Sequence, residues 1–532
     1  MCDSESDKVD PGIGIILQNV DETAVPVRAE VTGSIPSWVN GCLIRNGPGM
    51  YDVGSDTYEH LFDALSMLQR WQVNDGKVFY STRYLRSEAY ERNMAAQRIV
   101  VTEFGTQAYP DPCKSLFRRY LSYFFPFTEG STTDNALVNI VENGDQIFAV
   151  TETTHLCRID SNTLETVQKN YDVSRIVAVN TMTAHPHYTS DGAVMNMGTA
   201  NGYYAIVHTP RVENGCEACA YDSTTIRTKI PFTYKLFPSY YHSFGYCASG
   251  KIVFFEMPLR LNVVQLMAGM LVRNPWGFSS ALKYYPKEKT RIHIYSSDDR
   301  GESLLDRVYT TDAFFYFHQI NTFEQDDCVI HDVIAYHDGG VVNSLTLKEL
   351  RAGKLPPQTK SVVLRIVAPL KVAEDATPGD DLLRRSQLRT QAKAVLQSDG
   401  SVHCVPHELC KSDGLELPRI NYAFNGKSYR YFYATTLFDT VEPGIVKFDA
   451  ETGQLKQWSK DHLQLYTNEP VFVQRPGADA EDDGVLLVPV ANTRANEEAF
   501  LLVLDAKDMT ELARARVPTR IPFTFHGHFI GK

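Results

Sequence analysis

The sequence predicts an all-β fold, most simply a β-propeller, on three observations. Short runs rich in Val, Ile, Phe and Tyr, bounded by Gly, Asn, Asp and Pro, recur along the chain at 77–84, 146–152, 251–256, 313–323, 428–436 and 484–490; such runs read as strands. Helical periodicity is confined to three stretches, 112–125, 261–272 and 382–396. One local pattern also repeats: a strand ends in hydrophobic-Asp, a polar turn follows, and a second strand departs. It occurs as RIDSNTLETV (158–167), KFDAETGQLKQW (447–458) and VLDAKDMTELA (503–513), with a looser copy in IYSSDDRGESLLDRV (294–308). Hairpins of this kind recur once per blade in propellers, which also accommodate more than 500 residues in one domain. Two stacked β-sandwiches are the alternative. No Pro/Ser-rich linker divides the chain, and 373–383 reads as a surface loop. The expected organisation is a flexible acidic N-terminus over 1–15 and one domain over 16–532.

Composition narrows the function classes. Of 532 residues, 43% are hydrophobic and 22% charged, an ordinary globular balance able to bury a large core. Lys plus Arg is 52 against 64 Asp plus Glu, a net charge of −12. A chain this acidic lacks the basic footprint of a nucleic-acid binder. The N-terminal run MCDSESDKVDPGIG has neither the apolar core of a secretory signal nor the basic character of a transit peptide. No stretch approaches the ~20 apolar residues of a membrane span. The expected location is the cytoplasm. The ten cysteines show no framework spacing, which suits free thiols; Cys216 and Cys219 have CxxC spacing but no second pair to complete a zinc site.

Four histidines stand out by local setting: His185 in TAHPH, His242 in SYYHSF, His318 in FFYFHQI and His526 in IPFTFHG. A buried histidine must hydrogen-bond its ring nitrogens, bind a metal or bear the cost of desolvation. Any one of them alone is more often a satisfied core residue. Four on separate segments of a fold that aims its inner strands at one axis make an imidazole metal site plausible. Imidazole suits Zn, Cu, Fe and Ni, so ligand type leaves the metal open. Three glutamates, Glu152, Glu416 and Glu469, lie beside apolar neighbours in VTET, LELP and NEPVF. Ligating histidines usually donate their second N–H to such a carboxylate; an edge or surface position is the plain alternative, especially for Glu469 before Pro470.

The segments RNGPG (45–49), HLFD (60–63), TAHPH (183–187), HSFG (242–245), FHQIN (317–321), NEPVF (468–472), EDDG (481–484) and FHG (525–527) together resemble the carotenoid cleavage oxygenases, in order and over nearly the whole chain. PDPCK (110–114) is similar to the animal branch, and the runs QRIVVTEFGT (97–106) and YRYFYA (429–434) are similar to the insect carotenoid isomerooxygenases. The resemblance implies a seven-bladed propeller under a helical dome, with iron(II) held by His185, His242, His318 and His526 and O2 as co-substrate. His187 and His528 are neighbours of two of these but fall outside the ligand positions. Glu152, Glu416 and Glu469 match the carboxylates behind the ligands. Phe104, Thr151, Tyr240, Phe317, Tyr336 and Phe525 fall at or beside substrate-tunnel positions. Leu417 stands where the isomerohydrolase of the family has an aromatic residue, and Ala64 replaces the glycine of an FDG motif.

The implied activity is central cleavage of a carotenoid to retinal, coupled to trans-to-cis isomerisation of one half. A carotene oxygenase without isomerisation, central or eccentric, and a retinyl-ester isomerohydrolase are the alternatives; a non-catalytic propeller would have no use for the histidine and glutamate set. Carotenoids partition into bilayers, so a peripheral membrane surface is expected. On a helix over 112–125, Leu116, Tyr120, Tyr123 and Phe124 share one face and Lys114, Arg118 and Ser122 another. The expected membrane residues are Cys113, Phe117, Tyr120, Leu121, Phe124 and Phe125, with Leu266, Met267, Met270 and Leu271 from 261–272. Cys113 is also a candidate for acylation. Two core helices are the competing reading.

Overall fold

Seven sheets of four to six strands, antiparallel except where Tyr309–Thr311 runs parallel to Val402–Val405, form the seven blades of a propeller. The computed structural model describes residues 12–109, 111–113, 133–266, 278–298, 301–356, 359–410, 414–436, 444–462 and 464–532. The repeated hairpin recurs within the blades in one geometry. Asp449 and Asp505 end their strands and Asp160 directly follows its own, and each carboxylate accepts from the backbone N–H groups two and three residues on. The fourth residue beyond each aspartate, Leu164, Gly453 or Met509, has positive φ (60°, 71° and 67°) and returns its N–H to the aspartate carbonyl. An Asp side chain that mimics a backbone turn is the physical content of the motif. In the looser copy, Thr290–Ser296 and Tyr309–Thr311 do pair, but across a longer connection.

Both chain ends close the ring. The C-terminal strand His526–Gly531 pairs with Gly41–Met50 in the first blade, in the register Asn46↔His526. The N-terminal strand Glu30–Gly33 pairs with Glu511–Val517 of the last blade. The helical turn Ile13–Ile16 straddles the boundary expected at residue 16, and Arg520 donates to the Ile15 carbonyl.

Three local expectations are corrected. The stretch 382–396 is not a helix: Leu382–Arg385 is a single 3-10 turn and Lys393–Leu396 a strand. The Asp381 carboxylate accepts from both Leu383 and Ala394, and Ala394 and Leu396 alternate into the core opposite Val402–Val405. Leu261 ends a strand, Leu259–Leu261, and helix runs over 263–266; the rest of 267–277 lies outside the described residues. The strand expected over 146–152 stops at Val150, leaving Glu152 beyond its end rather than in its interior. An unexpected helix, Glu88–Ala96, begins where Ser87 accepts from Tyr90 and the Asp134 carboxylate accepts from Glu88 and Ala89.

Ala64 is fully buried, its φ is not positive, and its carbonyl accepts from Asn135, so nothing in its backbone demands glycine.

Candidate metal centre

Each blade contributes one residue to the axis. Four give the histidines and the other three give Glu152, Glu416 and Glu469, each on or next to an inner strand or strand end. Two β-bulges set the aim. Between Tyr316↔Ala335 and Gln319↔Val333, Phe317 and His318 together oppose Ile334; between Glu416↔Thr435 and Arg419↔Tyr433, Leu417 and Pro418 together oppose Ala434. A regular strand would turn Phe317 and His318 to opposite faces; the bulge brings both to the cavity wall. Leu417 accommodates its bulge at φ 53° and its N–H donates to Glu416.

The ligand-capable nitrogens of His185, His242, His318 and His526 all lie within 4.8 Å of one another. Nε2 of His185 is 2.8 Å from that of His242, and Nε2 of His318 is 3.2 Å from that of His526. Nδ1 of His242 donates to Glu152 (2.5 Å), Nδ1 of His318 to Glu416 (2.6 Å) and Nδ1 of His526 to Glu469 (2.8 Å). Those bonds place the proton on Nδ1 and leave each Nε2 as a lone pair facing the centre. His318 and His526 therefore present two acceptors to each other, an arrangement that a cation between them relieves. A metal bonded at about 2.1 Å to two imidazoles at a right angle holds their nitrogens about 3.0 Å apart, which the observed pairs bracket. The residues fit a four-imidazole metal ion. Burial, reinforced by neighbouring imidazoles, holds His185 well below the ordinary histidine value; burial lowers His526 to about 4 against the pull of Glu469. Both are neutral, as metal ligands must be.

The three carboxylates are anchored differently. Glu152 accepts from the Tyr240 hydroxyl (2.9 Å) and Glu416 from that of Tyr336 (2.6 Å). Glu469 faces two arginines: Arg419 Nε lies 2.9 Å away, and fully buried Arg45 lies 3.6 Å away with bonds to Thr524 and the Glu469 and Phe525 carbonyls. Burial would raise the Glu469 carboxyl, but Arg419, His526 and Arg45 outweigh it and hold it at about 2. His185 has no carboxylate partner among the described residues.

Above the histidines lies a cavity of about 840 Å³. Phe104, Thr151, Tyr240, Phe317, Tyr336 and Phe525 all line it, with Glu152, Glu416, His242, His318, His526 and Leu417; Glu469 stands behind His526 instead. Phe62 and Phe278 are residues that sequence reasoning left without a role. Phe62 packs edge-on against Phe317 and Phe525 (5.9 and 5.6 Å between centroids), and Phe278 lies against Phe104. Phe62 stood inside the HLFD motif, the one signal that could have marked it. Arg45 and Arg419 were likewise missed. His187 is hydrogen-bonded through Asn425 and the Phe244 carbonyl, and His528 pairs with Glu142, so neither joins the four. Of the membrane residues, Cys113 is exposed and Leu266 lines the cavity; Phe117, Tyr120, Leu121, Phe124, Phe125, Met267, Met270 and Leu271 lie outside the described residues.

Comparison with known proteins places this geometry. The family model "Retinal pigment epithelial membrane protein" matches residues 16–531. Human β,β-carotene 15,15'-dioxygenase is 41% identical over 97% of this chain and 94% of its own length. A mitochondrial carotenoid-cleaving dioxygenase of Macaca fascicularis is 38% identical over 98% and 95%. The cobalt-substituted Synechocystis apocarotenoid oxygenase superposes with a TM-score of 0.76 at 20% identity, covering 98% of this chain and 99% of its own, and shares the fold. With a family model spanning nearly every residue and relatives at about 40% identity end to end, the chain belongs to the retinal pigment epithelial membrane protein family, that of the carotenoid oxygenases.

Proposed function

We propose that this chain is a non-haem iron(II) dioxygenase that cleaves a carotenoid at its central double bond to give retinal. One observation carries the reading: four imidazoles converge, and three of them, His242, His318 and His526, line a large, aromatic-walled cavity. Iron(II), held by His185, His242, His318 and His526, would supply the activation of O2. The balance is simple: both oxygen atoms enter, one C=C bond breaks, and two aldehydes leave. No side chain need act as nucleophile or base, so the protein's part is placement and exclusion of water. The rings of Phe62, Phe317 and Phe525 lie against the cavity beside His242, His318 and His526. Tyr240 and Tyr336 turn their hydroxyls to carboxylates, so they present ring rather than O–H to a polyene. Ring faces favour cationic character in the chain they contact.

The finer reading is that one half leaves as a cis isomer, giving 11-cis plus all-trans retinal. Its motivation is the isomerooxygenase-like run at 97–106, which contributes Thr102, Glu103 and Phe104 to the cavity wall; the companion run 429–434 contributes none. The bent half of the polyene would lie among Phe104, Tyr240, Phe317 and Tyr336. The iron-reconstituted protein, given all-trans carotenoid and O2 under dim red light, is expected to yield equal amounts of all-trans and a single cis retinal. Two all-trans molecules per substrate would remove the isomerisation, and aldehydes of unequal length the central cleavage.

Access from a bilayer is part of the same reading. Leu236 lines the cavity and Val264 adjoins it, and both are more than half exposed. Backbone bonds from Leu261 to Pro238 and from Val263 to Leu236 join their segments into one apolar rim. No helix among the described residues is long and apolar enough to cross a membrane. The double variant Leu236→Ser/Val264→Ser is expected to leave floated liposomes for the soluble fraction while keeping its thermal stability, because both side chains already face solvent. Unchanged flotation would discount this rim.

A further inference from the structure

The wall that carries Phe104 also carries two polar groups for which a hydrocarbon has no use. Glu103 is 5% exposed and lines the cavity. One of its oxygens accepts from the Thr133 hydroxyl at 2.7 Å; the other has no hydrogen-bond partner among the described residues. Gln107 lines the same cavity half-buried, and its carboxamide has none either. Their placement is held firmly. Glu103 N–H donates to the Thr106 carbonyl, Gly105 N–H and the Thr106 hydroxyl donate to the buried Asp63 carboxyl, and Ala108 N–H donates to Thr102. These bonds fix the backbone of the turn from which both side chains reach the cavity wall.

A buried polar group without a partner costs free energy that an apolar residue of similar size would not. Burial pushes the Glu103 carboxyl well above the ordinary carboxylate range; the Thr133 hydroxyl opposes this, and Asp63 and Asp134 add to it. A protonated carboxyl offers an O–H donor, and the Gln107 carboxamide lining the same cavity both donates and accepts. We propose that Glu103 and Gln107 form a polar subsite that takes an oxygen function, hydroxyl or carbonyl, at one end of the polyene or of its cleavage product. The inference rests on the carotenoid reading of the cavity and adds a discrimination to it. A hydrocarbon end leaves the second oxygen of Glu103 and the Gln107 carboxamide without a partner among the described residues, whereas an oxygenated end pairs them.

The test is direct binding, independent of turnover. The full-length protein is titrated under anaerobic conditions, following quenching of its own fluorescence, with three ligands of one carbon skeleton: retinol, retinal and the corresponding deoxygenated hydrocarbon. The wild type is expected to bind an oxygenated ligand roughly 10-fold more tightly than the hydrocarbon, the size of one buried hydrogen bond. Preference for retinol alone assigns the subsite to a hydroxyl, and for retinal alone to the aldehyde. Glu103→Leu and Gln107→Leu are each expected to shrink the preference. Glu103→Gln, which can still accept from Thr133, retains part of it and controls for the local fold, as does the half-buried position of Gln107. Equal affinity for all three ligands in the wild type, or an unchanged preference in both leucine variants at wild-type thermal stability, overturns the subsite. If the preference is present and erased as expected while neither a carotene nor its ring-hydroxylated counterpart is cleaved by the iron-loaded wild type, the subsite stands and the cleavage reading falls.

Discussion

Alanine at His185, His242, His318 or His526 is expected to take bound iron from about one per chain to none and to abolish turnover. The reason is geometric. Each imidazole supplies one Nε2 lone pair to a cluster whose members lie within 4.8 Å, and three of the four rings are locked by a carboxylate. Removing one imidazole leaves an incomplete set of neutral donors with no carboxylate among them to compensate. Iron that binds the native state raises its stability by linkage. Adding Fe(II) should therefore raise the wild-type melting temperature and leave the four variants unmoved, a readout separate from activity. His528→Ala and His187→Ala are the contrasting cases. Their rings bond to Glu142, and to Asn425 and the Phe244 carbonyl, so they should keep iron even where His187→Ala lowers stability. Iron content near one in any of the four would take that histidine out of the ligand set.

His242, His318 and His526 were legible in the sequence because each sits in an aromatic run where a polar ring needs a reason; His185, in TAHPH, was marked by the resemblance. Their convergence was not, because it depends on strand pairing between distant segments. Phe317 and His318 are adjacent, and strand alternation sends adjacent residues to opposite faces. Only the extra residue opposite Ile334 lets both line one cavity, and that is a property of the pair of strands rather than of either sequence. The hairpin repeat read correctly because its signal is local: an aspartate, a polar turn and one residue of positive φ lie within five positions. The stretch 382–396 misled because its leucines fit a helical spacing as well as a strand. Its fate was decided by Asp381, which ties the turn to the strand beyond it. Arg45 opens the RNGPG motif, but its partner and that of Arg419 were invisible for the same reason as the convergence. Arg45 meets Glu469 across 424 positions, through the strand that closes the ring.

That ring closure separates the three glutamates, which the sequence alone treats as equivalent. Glu152 and Glu416 are held by neutral tyrosine hydroxyls in the cavity wall. Glu469 is held by cations, and its two oxygens meet His526, Gly527 N–H, Arg419 and Arg45 together. Arg419 also reaches the Gly527 carbonyl, so the same guanidinium fixes the backbone next to His526. The His526 corner of the site is thus built into the seam where the first and last blades join.

Glutamine at the three positions should therefore have unequal effects. Glu152→Gln and Glu416→Gln are expected to weaken metal affinity roughly 10–100-fold, with stability changes of about 1–2 kcal/mol. Glu469→Gln should add a loss of about 3–5 kcal/mol in unfolding free energy, because it strands a fully buried arginine. Burial lowers Arg45 to about 10, with Glu469 opposing and Arg419 assisting, so it stays charged at neutral pH. The pH dependence follows with a definite sign. A carboxyl held at about 2, against an unfolded value of about 4.3, contributes stability that is complete above the unfolded value and is lost as pH falls from about 4 towards 2. The stability gap between wild type and Glu469→Gln should close over that window. Arg45→Met in the Glu469→Gln background removes the stranded charge and should recover part of the loss, although Arg45→Met alone destabilises. Denaturant unfolding of the four proteins of this cycle, at pH 7 and at pH 3, measures the coupling. Equal destabilisation by Glu416→Gln and Glu469→Gln, or additive effects of the Arg45 and Glu469 substitutions, would show that the seam is held by packing and that the arginine–carboxylate pair is incidental to it.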